Sequence, residues 1–153
     1  MSSLIKLLFV FLWLLTLQDL NADTNQGTVI MSASGSFDVK LEPQDDPSVP
    51  AGRMTIDKKY SGDLVGTGKG QMISKRTEGG ASVYSAIEEF KGTVDGKKGG
   101  FTLFHNGFMS SAKQELRVII VAGSGSGELV HIEGELIITQ ANGEHSYELR
   151  YSQ

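Results

Sequence analysis

From Val29 to the end of the chain the apolar residues recur at every second position, and this period of two constrains the fold more than any other feature. It belongs to strands with one buried face, whereas an amphipathic helix repeats every ~3.6 residues. Gly35, Phe37, Val39 and Leu41 alternate with Ser36, Asp38 and Lys40, and Met54 and Ile56 alternate with Thr55 and Asp57 before Tyr60. Tyr84, Ala86, Glu88 and Phe90 share one face of residues 83–94, as Phe101, Leu103 and His105 do against Thr102, Phe104 and Asn106. Leu116, Val118 and Ile120 sit in a β-branched run, Leu136 and Ile138 mark the next strand, and His145, Tyr147, Leu149 and Tyr151 mark the last.

Turn signals separate these runs. Ser61-Gly62-Asp63 and Glu78-Gly79-Gly80 are two of them, and Asp95-Gly96 and Asn142-Gly143 are two-residue hairpin signals. Residues 42–52 hold all three prolines and two adjacent aspartates, and read as the one long loop. The Gly/Ser stretch at 123–127 reads as a loop between strands. Within residues 64–73 three glycines, Gly66, Gly68 and Gly70, fall on one face, which permits a bend or the close approach of another group. The count comes to about eight short strands with no amphipathic helix. Closure into a barrel removes the exposed edges of such a meander, and a sandwich is the alternative.

The first 22 residues read differently. One lysine, Lys6, precedes an apolar run from Leu7 to Leu15, and Ala22 offers a small residue before Asp23. This is the plan of a secretory signal peptide, too short to span a bilayer comfortably. The organisation expected is a signal peptide at 1–22, a short lead-in at 23–31 and a β-barrel domain at 32–152, with the mature chain starting at Asp23. Export to a periplasm or the cell exterior follows; an uncleaved N-terminal anchor is the competing reading. The chain has no cysteine, so disulfides, thiol nucleophiles and Cys-based metal sites are excluded. Net charge is −4 with no Lys/Arg-rich run, which argues against a nucleic-acid partner.

Several phrases recur in a recognisable order: Gly35-Ser36-Phe37-Asp38-Val39, Gly52-Arg53-Met54-Thr55-Ile56-Asp57-Lys58, Gly62-Asp63-Leu64-Val65-Gly66 and Tyr84-Ser85-Ala86-Ile87-Glu88. Gly100-Phe101-Thr102-Leu103-Phe104-His105, Gly125-Ser126-Gly127-Glu128-Leu129 and His145-Ser146-Tyr147 follow. Together they resemble an uncharacterised bacterial family of unknown function with an allene oxide cyclase-like β-barrel, over residues 32–151. The resemblance implies an all-β chain forming a single antiparallel eight-stranded barrel, without substantial helices after the signal peptide. It also implies a cavity able to hold a small apolar molecule, and it brings no activity with it.

Strand alternation places Lys58, Tyr60, Tyr84, Glu88, His105, His145, Tyr147 and Tyr151 on the inward face. Polar groups there must pair or bind something, since each left unsatisfied costs about 1–3 kcal/mol. The functional reading is a ligand pocket of Lys58, Tyr84, Glu88, His105, His145 and Tyr147, with Glu88 and His105 as candidate acid and base. The plainer reading pairs Lys58 with Glu88, satisfies the histidines in the core and puts Tyr60 and Tyr151 at the rim. Glu88, His105 and His145 lack metal-ligand spacing, so no metal is expected, and no cofactor is called for. Gly66-Thr67-Gly68-Lys69-Gly70 is followed by no helix and so is no phosphate cradle. The expected partner is a small hydrophobic or amphipathic molecule, with no stable membrane span in the mature form. An isomerase or cyclase, or a ligand-free structural barrel, is the alternative. Phe104, Ile119 and Val121 offer an outer apolar patch through which a homo-oligomer could form.

Overall fold

A computed structural model describes residues 28–153; the expected signal peptide and the first part of the lead-in lie outside the described residues. The alternating runs become strands β1 (Met31–Gln44), β2 (Gly52–Gly62), β3 (Leu64–Arg76), β4 (Ser82–Val94) and β5 (Lys97–Met109). These are followed by β6 (Gln114–Ile120), β7 (Ser126–Gly127), β8 (Glu133–Ala141) and β9 (Glu144–Ser152). All pairings are antiparallel between sequence neighbours from β1 to β6. β8 pairs with β9, β9 returns to β1, and β6 meets β8, so eight strands close into one barrel with β7 as an extra strand on β5.

The turns follow from their residues. Asp95 and Asn142 both take positive φ, at 47° and 54°, each followed by a glycine at about +80°, the backbone of a tight hairpin that matches strand twist. Two expectations need correction. The long loop is shorter than residues 42–52, because β1 runs on through Pro43, which stands opposite Met54. Proline is tolerated there because β9 pairs with β1 only as far as Phe37, leaving that stretch a free edge on one side. The Gly/Ser stretch, expected as loop alone, supplies β7, whose Ser126 and Gly127 pair with Gly100 and Gly99.

The two ends of the barrel differ. The hairpins after β2 and β4 and the segment between β6 and β8 lie at one end. That segment folds beneath the barrel and seats Leu129 and Ile132 against Leu64, Val94, Phe101 and Leu149, all almost fully buried. Aromatic rings stack above this plug, with Phe90 and Phe101 4.8 Å apart and Tyr60 edge-on to Phe90 at 5.5 Å. The other end carries the turns after β1, β3, β5 and β8 and has no such plug. The ring is thinnest between β6 and β8, which share the single bridge Ile119–Glu135. Phe104 and Ile119 stand opposite each other on the outer face.

Candidate functional site

The inward glycines of β3 explain how the polar core assembles. β2 and β4 are not neighbours; β3 lies between them, and its inward positions carry no side chain at Gly66, Gly68 and Gly70. Glu88 therefore reaches from β4 across this trough to β2. A Cβ on Gly68 would overlap the Glu88 carboxylate and stand 3.0 Å from the Tyr60 ring, so this close approach requires glycine.

Glu88 is wholly buried, with Lys58 and His105 almost so, and these are the three buried polar or charged residues of the described core. Lys58 Nζ donates to Glu88 Oε2 at 2.7 Å, and the Tyr60 hydroxyl donates to Oε1 at 2.7 Å. Lys58 also donates to the Tyr60 hydroxyl at 3.3 Å and lies 4.6 Å from the centre of the Phe37 ring, a cation–π contact. His105 Nε2 stands 3.0 Å from Glu88 Oε2, but off the line along which a ring N–H donates. The contact is close but too poorly aligned to be a strong directed hydrogen bond. Burial pushes the Glu88 carboxyl up, yet His105 and Lys58 outweigh it and hold the group down at about 2. Burial first, then the adjacent Glu88 charge, push the Tyr60 phenol far above its ordinary range.

Above this cluster, toward the unplugged end, lies a cavity of about 380 Å³, within the size range of small-molecule sites. Lys58, His105 and Phe37 form its floor. Its walls are apolar: Val39 and Leu41 from β1, Ile56 from β2, Met72 from β3, Leu116 from β6 and Ile138 from β8. Gln114, Glu115 and Gln140 stand nearer the mouth.

The expected site residues separate into three groups. Lys58, Tyr84, His105 and His145 all line the cavity. His145 stacks on Phe37 at 5.1 Å, and burial raises the half-buried Tyr84 phenol. Glu88 lies behind Lys58 and His105 and holds them instead of facing the cavity. Tyr147 points toward the plugged end, where its hydroxyl accepts from the Leu64 backbone N–H at 2.8 Å and donates to the Ser61 carbonyl at 3.1 Å. Burial raises its phenol, the Leu64 N–H lowers it, and Asp63 and Asp95 raise it.

Tyr60 and Tyr151 are not rim residues. Both are buried, Tyr60 in the cluster and Tyr151 with its hydroxyl on Asp95. Burial and that carboxylate push the Tyr151 phenol up to about 12. Among the described residues no three His, Asp or Glu side chains are grouped to hold a metal ion, so Glu88, His105 and His145 do not make a ligand set. Sequence reasoning did not single out Phe37 or Met72; each shares the inward face of its strand, a signal already present in the alternation.

Fold and site together define a small antiparallel barrel with one plugged end and one open end, the open end floored by a buried Lys–Glu–His–Tyr cluster. The chain belongs to the family described as Protein of unknown function (DUF3224), whose model matches residues 25–151. It is similar to a solved protein of unknown function from the DUF3224 family of Shewanella oneidensis MR-1. The two are 34% identical with a TM-score of 0.75, over 80% of this chain and 96% of that one. No protein of curated function matches the chain. The likeness to the cyclase barrel rests on the sequence phrases alone.

Proposed function

We propose that the barrel binds a small apolar or amphipathic molecule in the cavity at its open end. The observation that carries this reading is the cavity itself, with apolar walls and a floor of Lys58 and His105. A packed structural barrel would fill this volume with side chains, as the plugged end does. Native mass spectrometry of the purified chain against a lipid and metabolite pool tests it. A retained small molecule, displaced when Leu116→Trp fills the cavity, supports the reading, and the absence of any adduct overturns it.

An isomerase or cyclase is the second reading, and the floor favours one form of it. Glu88 is held ionised far below neutral pH and is walled off, so His105, with an unaligned Nε2, is the proton carrier in that reading. There, His105→Ala keeps the fold and abolishes turnover of an identified substrate; retained turnover removes His105 from the role.

Export through residues 1–22 is part of the same proposal, supported by the leader's charge and apolar run. N-terminal sequencing of exported protein is expected to begin at Asp23, and an intact Met1 contradicts it.

A further inference from the structure

The chemistry of the ligand is narrowed by the charges around the cavity, an argument that rests on the cavity being a binding site. One ammonium, Lys58, and two imidazoles, His105 and His145, line it. The buried acid of the described core is Glu88, and its two oxygens are taken by Tyr60 and by Lys58 with His105 beside it. An incoming group therefore finds no carboxylate at the floor to accept from it. The other acid at the cavity, Glu115, stands exposed toward the mouth and is paired with Lys113.

Donors, by contrast, remain. Lys58 Nζ has three N–H groups; one is given to Glu88 at 2.7 Å and one to Tyr60 at 3.3 Å. The third has no hydrogen-bond acceptor among the described residues. His105 is 3% exposed and its Nε2 makes no aligned hydrogen bond. Glu88 offsets the Lys58 charge, so the selectivity comes from the unused donors: a cationic head group would find no free acceptor at this floor, while an anion would find N–H groups to accept from. Depth sets the orientation. Lys58 and His105 are the most enclosed polar groups, while Leu41 and Met109, both partly exposed, border the cavity near the ends of their strands.

We propose that the cavity takes an amphipathic carboxylate head-first, the carboxylate accepting hydrogen bonds from Lys58 and His105 and the alkyl tail lying against Ile56, Leu116 and Ile138 toward the mouth. Isothermal titration of the full chain with octanoate, octanol and octylammonium near neutral pH tests it. The expected result is octanoate tighter than octanol by about tenfold, the scale of a charge-assisted hydrogen bond, with octylammonium weakest. His105→Gln, with its fold checked by circular dichroism, is expected to collapse the octanoate-to-octanol preference. If that variant does not fold, the ranking on the unaltered chain decides alone. Octanol binding as tightly as octanoate, or a preference that survives His105→Gln, overturns the carboxylate while leaving the cavity a binding site. Binding of none of the three overturns both.

Discussion

Glu88→Gln is the perturbation most closely tied to the structure, because one carboxylate holds Lys58, Tyr60 and His105 in place. In the native chain the Glu88 carboxyl is held at about 2 against an ordinary 4.5. At about 1.4 kcal/mol per pH unit, that gap contributes about 3 kcal/mol of stability at neutral pH. Because the folded value lies below the unfolded one, this contribution is fully present above about pH 4.5 and is lost as pH falls toward about 2. The amide keeps the shape but leaves the buried Lys58 ammonium without its counter-ion, a loss of about 3–5 kcal/mol for a broken buried pair. Urea unfolding of both proteins from neutral pH to about pH 2 reads the effect. The variant is expected to be less stable by about 3 kcal/mol at neutral pH, and the difference is expected to narrow through the acid range. A difference that stays constant with pH, or a neutral-pH loss below about 1 kcal/mol, would refute the reasoning that an ionised Glu88 anchors the cluster.

Two further changes test how the core is built. Gly68→Ala places a Cβ on the Glu88 carboxylate and is expected to cost about 1–3 kcal/mol in urea unfolding, with a change on the solvent face of β3 such as Thr67→Ala as the near-neutral comparison. Tyr147→Phe leaves the Leu64 backbone N–H without its acceptor and is expected to cost about 1–3 kcal/mol; faster hydrogen exchange at the Leu64 amide is the local readout.

Much of the barrel is legible in the alternation, because a period of two assigns every residue to a face. The alternation alone puts Lys58, Glu88 and His105 inward, where all three are buried, and Asp95-Gly96 and Asn142-Gly143 mark hairpins that form. Depth along the barrel axis was not legible. Tyr60 and Tyr151 sit near strand ends in sequence, and a strand end becomes rim or plug according to which end of the barrel is covered. The segment carrying Leu129 and Ile132 covers theirs, and nothing in its Gly/Ser-rich approach announces this. For the same reason Tyr147, expected in the pocket, turns instead to the Leu64 backbone at the plugged end. The plainer reading of the sequence already pairs Lys58 with Glu88, and the row of glycines already allows a close approach, but nothing in the sequence joins the two. Their connection depends on β3 lying between β2 and β4, a fact of pairing that no single strand carries.

Methyl NMR of the labelled chain titrated with octanoate and octanol tests the central claim most directly, that the open end of the barrel is a ligand site with a polar floor. The account predicts shifts confined to the methyls of Val39, Leu41, Ile56, Leu116 and Ile138 around the cavity. Leu64, Val94 and Leu129 at the plugged end should stay unmoved. Shifts gathered instead on outward residues such as Val83 and Ile87, or no shifts with either probe, would contradict it.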